Sequence, residues 1–236
     1  MTRRTRYRDD LAAVEPARWP AFLAERSGLP GPRANIELAQ AAADIGGAAT
    51  FERLIASGDE FLTFCGVVGL GRLLAEDPED VAIPARLREH ARDPRWRVRE
   101  AVAMALQRLG DADRDRLHAL VAGWSGDQDP LVLRAAVAGI CEPRLLDTPA
   151  SAAAALDACA AATDRLAALP AGRRREDAVR VLRKALGYGW SVAVAADPAA
   201  GLPRFRALSR STDPDVGWIV RENAKKTRLA GLLPAG

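Results

Sequence analysis

The sequence predicts an all-α protein in which about six helical hairpins stack as a solenoid. Three observations lead to this prediction. No stretch of the chain alternates apolar and polar residues over the length of a β-strand. The apolar residues are mainly Ala, Leu and Val, which suit closely packed helices, and only 5% of the residues are aromatic. A short phrase beginning Asp-Pro returns at intervals of a few tens of residues, the spacing typical of solenoid repeats.

The recurrent phrase predicts how each repeat begins. Its copies start at Asp93, Asp129 and Asp213, and a fourth copy over 181–186 lacks the Asp-Pro lead. An Asp side chain caps a helix by accepting from a free backbone N–H, and Pro fits the first turn, where its missing donor costs nothing. Apolar residues then recur at helical spacing, as over 98–109. Each such helix therefore has one apolar stripe that needs neighbours.

Gly, Pro and the Asp-Pro phrases divide the chain into six predicted helix pairs. They are 16–27 with 32–46, 48–57 with 59–76, 79–92 with 95–109, 112–124 with 129–141, 151–168 with 173–196, and 199–211 with 214–229. The predicted domain organisation is a basic N-terminal segment over 1–15, a single repeat domain over 16–229, and a C-terminal tail over 230–236.

The phrase Asp-Pro-x-x-x-Val-Arg-x-Ala resembles the signature of HEAT repeats, most strongly over 79–141 and 199–229. The resemblance implies a right-handed α-solenoid of HEAT-like hairpins with a convex and a concave face. It also implies a buried ladder of Asp and Arg side chains from successive repeats, with a structural role. The ladder residues are Asp93, Arg99, Asp129, Arg134, Asp213 and Arg221.

A narrower resemblance concerns residues 182–190, followed by Asp197-Pro198. This stretch is similar to the penultimate repeat of the HEAT-like-repeat DNA alkylation-repair glycosylases. In that family a basic and aromatic concave cleft holds the DNA backbone, and a Trp–Asp–Trp set with an Arg accompanies removal of an alkylated base. The resemblance places one aromatic position on Tyr188, where the family has Trp.

A candidate aromatic–carboxylate pair lies elsewhere in the chain, at Trp96 and Glu100. The two residues are four apart, so they share one face of a helix. The family has Asp where this sequence has Glu100. The candidate catalytic residues are therefore Trp96, Glu100 and Tyr188. The structural interpretation is that Glu100 is a surface carboxylate paired with an arginine and that Trp96 is a partly buried residue of the repeat.

Basic residues cluster in three places, and the last two clusters supply the nucleic-acid candidates. On the second helices of the last two pairs, Arg180, Lys184, Lys225 and Arg228 are predicted to meet a phosphate backbone, with Tyr188 or Trp218 nearby for stacking. Arg221, Lys225 and Arg228 are predicted to share one face of the last helix, at i, i+4 and i+7. The alternative interpretation is that the terminal cations complement the negative end of that helix. The other cluster runs from Arg86 to Arg97.

No residue pattern predicts a metal, a cofactor or a phosphate loop. His90 and His118 are not spaced with cysteine or carboxylate as metal ligands are. The glycines over 66–71 lack the Gly-Lys-Ser/Thr ending of a phosphate loop, so they predict close helix packing. The three cysteines are far apart and lie among small apolar residues, which predicts buried core positions and a reducing compartment. They are Cys65, Cys141 and Cys159.

Two functional hypotheses follow. The first is a non-catalytic HEAT-repeat scaffold that binds a protein or a nucleic-acid backbone on its concave face. The second is a DNA N-glycosylase-like repair enzyme. A net charge of +3 is modest for a nucleic-acid binder, so phosphate binding depends on clustering of the cations. No apolar run approaches the roughly 20 residues that cross a bilayer, and no secretory signal is visible, so a cytoplasmic monomer is expected.

Overall fold

The computed structural model describes residues 1–233, and every regular element in that range is helical. The all-α prediction is confirmed. The α-helices are α1 (Arg3–Ala12), α2 (Trp19–Glu25), α3 (Ile36–Ile45), α4 (Ala48–Ala56), α5 (Glu60–Glu76), α6 (Ala82–His90), α7 (Trp96–Ala112), α8 (Arg114–Ser125), α9 (Pro130–Ile140), α10 (Pro149–Ala167), α11 (Asp177–Ala196), α12 (Pro198–Leu208), α13 (Pro214–Ala224) and α14 (Thr227–Ala230).

The chain divides into two compact units, and the single repeat domain over 16–229 stays a prediction. The first unit spans Met1–Ala112, and the second begins at Asp113. The boundary falls at the start of the fourth predicted helix pair. The predicted tail over 230–236 lies partly outside the described residues.

Two of the three Asp-Pro helix starts are formed as the sequence predicts, whereas α7 begins at Trp96, two residues after Pro94. Asp129 accepts a hydrogen bond from the backbone N–H of Leu131, and Asp213 accepts from the N–H groups of Asp215 and Val216. Pro130 and Pro214 occupy the first positions of α9 and α13. These starts depend only on neighbours in the sequence, which is why they are readable without the fold.

Helix α5 is the core of the first unit, where it packs against α3, α4 and α7. Residues 61–71 are buried without exception. A Cβ added at Gly69 would lie 2.5 Å from atoms of the Phe51 ring, and one at Gly71 would lie 2.6 Å from the Cα of Ala105. The prediction that these glycines serve close helix packing is therefore confirmed.

The N-terminal segment contributes a packed helix to the first unit. Helix α1 packs against α3, with Leu11 fully buried and the amide of Asn35 donating to the Tyr7 hydroxyl. The predicted first hairpin, 16–27 with 32–46, is wrong in its pairing, because α2 packs chiefly against α5 and α1 takes the place beside α3. Leu11 is the one buried residue of α1, so the sequence shows no apolar stripe that would reveal this packing.

Three arginines from separate helices converge on the C-terminal end of α3. Arg4 binds Asp44 through Nε and Nη2 at 2.7 and 2.6 Å, and Arg108 Nη2 donates to the same carboxylate at 2.7 Å. Arg72 donates to the backbone carbonyls of Ala43 and Gly46. The cations thus neutralise both a carboxylate and the negative end of a helix.

Helix α11 is the core of the second unit and packs against α9, α10 and α13. Trp190 is buried, and its indole N–H donates to the hydroxyl of Thr163 at 3.0 Å. Asn223 of α13 is fully buried, accepts from the backbone N–H of Ser191 and donates to the carbonyl of Leu186. These bonds tie α13 to α11 and fix the position of the surface described below.

The helix predicted over 214–229 is broken in the structure. Helix α13 ends at Ala224, Lys226 has extended backbone at φ −78° and ψ 125°, and α14 begins at Thr227. The break lets α14 pack against α11, with Leu229 fully buried. The helix differs from the prediction because the chain turns to bury Leu229, and no local pattern in the sequence reveals this burial.

Two further expectations concern exposure. Cys65, Cys141 and Cys159 are free thiols, and all three are buried, so their prediction as core residues is confirmed. Across residues 1–233, none of the helices combines the length and the apolar character needed to cross a membrane.

Candidate functional site

The exposed positions of α11, α13 and α14 carry most of the nucleic-acid candidates. On α11, Arg180, Lys184 and Tyr188 follow one another at intervals of four residues and are all exposed, so they lie along one side of the helix. We call the whole set the basic–aromatic surface. It consists of Arg180, Lys184, Tyr188, Trp218, Arg221, Lys225, Lys226 and Arg228.

Close approach of α13 to α11 positions Trp218. A Cβ added at Gly187 would lie 2.8 Å from Cζ3 of the Trp218 ring, so only glycine admits the indole at this distance. The guanidinium of Arg183 lies 4.9 Å from the indole centre and donates to Asp215 at 2.5 Å. Trp218 is half-buried and held on two sides. Of the two predicted stacking residues, it is the less available.

Tyr188 is the more open aromatic side chain, with 43% of its surface exposed. Arg228 of α14 donates from Nη2 to the Tyr188 hydroxyl at 3.0 Å, and its guanidinium lies 4.8 Å from the ring centre. The sequence predicted Arg228 on one helical face with Arg221 and Lys225. That prediction is wrong, because the break after Ala224 puts Arg228 on a separate helix.

The charges on this surface are unevenly balanced. Six cations, Arg180, Lys184, Arg221, Lys225, Lys226 and Arg228, stand against the two carboxylates paired with them, Asp177 and Glu222. These side chains of the second unit therefore sum to a formal charge of +4. Lys225 donates to Glu222 at 2.6 Å, and this hydrogen bond lowers the pKa of Glu222.

Two of the ladder residues, Asp93 and Arg99, make hydrogen bonds at the start of α7. Asp93 accepts from the guanidinium of Arg95 at 2.7 and 2.9 Å, and this pairing lowers the pKa of Asp93. Arg99 donates to the backbone carbonyls of Asp93 and Pro94 at 2.6 and 2.9 Å. Sequence reasoning placed Asp93 and Arg99 in a ladder that joins successive repeats, and that ladder stays a prediction. At the start of α7 the Asp93 carboxylate pairs with Arg95, and Arg99 binds backbone carbonyls.

The other ladder residues differ in burial. Asp129 caps α9 as described above, and Arg134 is buried, with 7% of its surface exposed. Asp213 caps α13, but Arg221 of the same repeat is exposed. An exposed Arg221 is not the buried ladder position that the repeat pattern predicts. It belongs instead to the basic–aromatic surface.

Arg174, which sequence reasoning did not include in the ladder, binds Asp213 at the start of α13. Its Nη1 donates to Asp213 at 2.5 Å and to Asp215 at 3.4 Å, while Nε and Nη2 donate to the carbonyls of Leu169 and Ala167 at 3.1 and 2.6 Å. Burial raises the pKa of Asp213, but the hydrogen bonds from Arg174 and from backbone amides outweigh this effect, so the pKa lies below its ordinary value. Sequence reasoning placed Arg174 in a basic cluster, because nothing local distinguishes it from its arginine neighbours.

Replacing Arg174 by Ala is expected to lower the free energy of unfolding by about 1–3 kcal/mol, because two carboxylates and two carbonyls lose a charged donor. Arg173→Ala is the matched control. Arg173 is exposed and pairs with its near neighbour Glu176, so its removal is expected to leave stability nearly unchanged. Chemical denaturation followed by circular dichroism measures both. Equal effects would contradict the assignment of Arg174.

The other catalytic candidates, Trp96 and Glu100, belong to the first unit. Trp96 begins α7 with 52% of its surface exposed, and Glu100 is half-buried one turn later. The guanidinium of Arg97 lies 4.6 Å from the indole centre and donates to Glu60 at 3.0 Å. Tyr188 belongs to the second unit. The three catalytic candidates are therefore divided between the two units.

The basic cluster from Arg86 to Arg97 is largely neutralised by ion pairs. Arg86 binds Glu52, Arg95 binds Asp93, and Arg97 binds Glu60. Among residues 1–233 there is no group of three or more His, Cys, Asp and Glu side chains placed to hold a metal ion. The +4 surface of the second unit is thus the stronger candidate for binding an anionic partner.

Comparison with known proteins adds no family. No protein-family model matches the chain, and no curated protein matches it. A search of solved structures finds the crystal structure of an engineered protein from the Northeast Structural Genomics Consortium, at 17% sequence identity and a TM-score of 0.39, over 98% of this chain and 98% of that chain. A likeness at that score carries no argument about this protein.

Proposed function

We propose that this protein is a non-catalytic helical scaffold that binds the phosphate backbone of nucleic acid through its basic–aromatic surface. The observation that carries the proposal is the charge imbalance of the basic–aromatic surface, six cations against two paired carboxylates in the unit that also exposes Tyr188. Cations spaced along helices attract the phosphates of a nucleic acid whatever its base sequence is. An exposed aromatic ring offers a face on which a base can stack.

The arrangement of the cations supports a polyanion rather than a single small anion. Arg180 and Lys184 succeed each other along α11, Lys225 lies at the end of α13, and Arg228 lies on α14. Cations on three adjacent elements follow an extended ligand better than a compact one. The net charge of the whole chain is only +3, so the surface concentrates charge that the remaining sequence balances.

We also propose that each unit is a short stack of HEAT-type hairpins. Successive second helices pack side by side, α3 with α5 and α5 with α7 in the first unit, and α9 with α11 and α11 with α13 in the second. Within each unit, neighbouring first and second helices also pack together, as α4 does with α5 and α10 with α11. This packing supports the HEAT-type stack. Its right-handedness and the ladder remain predictions.

The glycosylase alternative also remains a prediction. It requires an aromatic wall and a carboxylate close to the sugar. The candidates Trp96 and Glu100 belong to one unit and Tyr188 to the other, so nothing described within either unit favours this reading over a non-catalytic scaffold.

A salt titration of binding to a fluorescently labelled DNA duplex tests the proposal. Affinity is expected to fall steeply with salt, because each neutralised phosphate releases counterions. The double variant Lys225→Ala, Arg228→Ala is expected to reduce the slope of log K against log salt by about 2. Absence of binding by the unmodified protein at low salt would remove nucleic acid and leave a protein partner.

Two further variants make this test specific to the surface. Arg206→Ala, Arg210→Ala removes the same charge from exposed positions of the same unit outside the surface, and its slope is expected to match that of the unmodified protein. Glu222→Gln releases Lys225 from its ion pair, so it is expected to tighten binding. A control variant that flattens the slope equally would show that general charge, and not this surface, binds the duplex.

A further inference from the structure

Two buried thiols of the second unit lie close together. Cys141 follows the end of α9, Cys159 lies in the middle of α10, and their Sγ atoms are 3.5 Å apart. The residues are 18 positions apart in sequence, so only the fold brings them together. Cys141 has 5% of its surface exposed, and Cys159 has none.

Gly189 of α11 lies against both sulfurs. A Cβ added there would lie 3.3 Å from each Sγ and 2.8 Å from Cγ1 of Val137. The two thiols therefore lie side by side under the backbone of α11, and each has the other as its sulfur neighbour. The hydrogen bond to Cys141, and then burial, raise the pKa of the Cys159 thiol well above its ordinary value.

We propose that Cys141 and Cys159 form an oxidation site that closes to an intramolecular disulfide when the protein meets a hydroperoxide. The sulfurs need to approach by about 1.5 Å, from 3.5 Å to the S–S bond length of about 2.05 Å. If one sulfur is oxidised, the other thiol lies close enough to react with it. This proposal is independent of nucleic-acid binding.

The reaction has two balanced steps. The sulfur of Cys141, the more exposed thiol, attacks one oxygen of hydrogen peroxide, so that an S–O bond forms, the O–O bond breaks, and water leaves after proton transfer. The sulfur of Cys159 then attacks the resulting sulfenic acid, forming the S–S bond as the S–O bond breaks and a second water leaves. Both sulfurs are oxidised by one electron each, and the peroxide is reduced to two waters.

Mass spectrometry of the whole chain tests the proposal. The folded protein is treated with hydrogen peroxide, quenched, unfolded in an alkylating agent and weighed. The mass before alkylation is expected to fall by about 2 Da, and the number of alkylated thiols is expected to fall from three to one. Digestion with trypsin is expected to yield peptide 135–144 joined to peptide 145–165.

Cys65 provides the matched control, because it is also fully buried but belongs to the first unit. Cys65→Ser is expected to leave the cross-link intact, whereas Cys141→Ser and Cys159→Ser are expected to abolish it. The peptide map of the unmodified protein decides the question even if a serine variant fails to fold. Unreacted thiols, oxygen added to sulfur without a cross-link, or a disulfide that involves Cys65 would each overturn the proposal.

Discussion

Replacing Gly71 by Ala is expected to lower the free energy of unfolding by about 2–3 kcal/mol. The added Cβ would lie 2.6 Å from the Cα and 2.7 Å from the carbonyl carbon of Ala105. Both atoms are backbone of α7, so no side chain can rotate away, and the two helices must separate. That separation loosens the most extensive helix contact of the first unit, the one between α5 and α7.

Gly123→Ala is the control for this substitution. Gly123 also lies within a helix, α8, but outside its own stretch of helix no atom lies within 4 Å of a Cβ added there. Because alanine favours helix over glycine, this variant is expected to gain up to about 1 kcal/mol. Chemical denaturation of both variants gives the comparison, and two effects of the same sign would contradict the packing argument.

Removing the Asp44 side chain is expected to cost about 3 kcal/mol at neutral pH, because Arg108 keeps its hydrogen bond to Gln40 but loses the carboxylate that balances its charge. The Arg108 side chain is only 12% exposed, and its Nη2 donates to Asp44 at 2.7 Å. Arg4 loses the same partner, although its 43% exposure lets water replace part of the interaction. Asp9→Ala, which removes an exposed carboxylate from the same unit, is expected to change stability by less than about 0.5 kcal/mol.

The contribution of Asp44 is also expected to depend on pH. Burial raises the pKa of Asp44, but the hydrogen bonds from Arg4 and Arg108 lower it further, so it lies below its ordinary value. A carboxyl group with a lowered pKa in the folded state stabilises the protein above its unfolded pKa and loses that contribution as the pH falls through the folded one. The difference between the unmodified protein and Asp44→Ala should therefore shrink below about pH 4. A difference that is constant with pH would contradict the ion-pair assignment.

Many helices could be predicted from the sequence because they depend on interactions between residues close together in the chain. The caps at Asp129 and Asp213 need only the backbone of the next few residues, so their helices begin as predicted. The glycines over 66–71 also revealed their role, because they stand in an apolar run that has no phosphate-loop ending. The broken helix after Ala224 was not readable, since it depends on burying Leu229 beside α11.

The sequence by itself determined the helical class, most helix positions and the presence of basic clusters, because capping and periodicity act over a few residues. Only the tertiary structure decided which cations are neutralised and which remain available. Arg174 and Arg221 are alike in type, yet packing gives Arg174 two carboxylates and leaves Arg221 exposed. The approach of Cys141 to Cys159 is another such result. Partners far apart in the chain are chosen by helix packing, which no local pattern encodes.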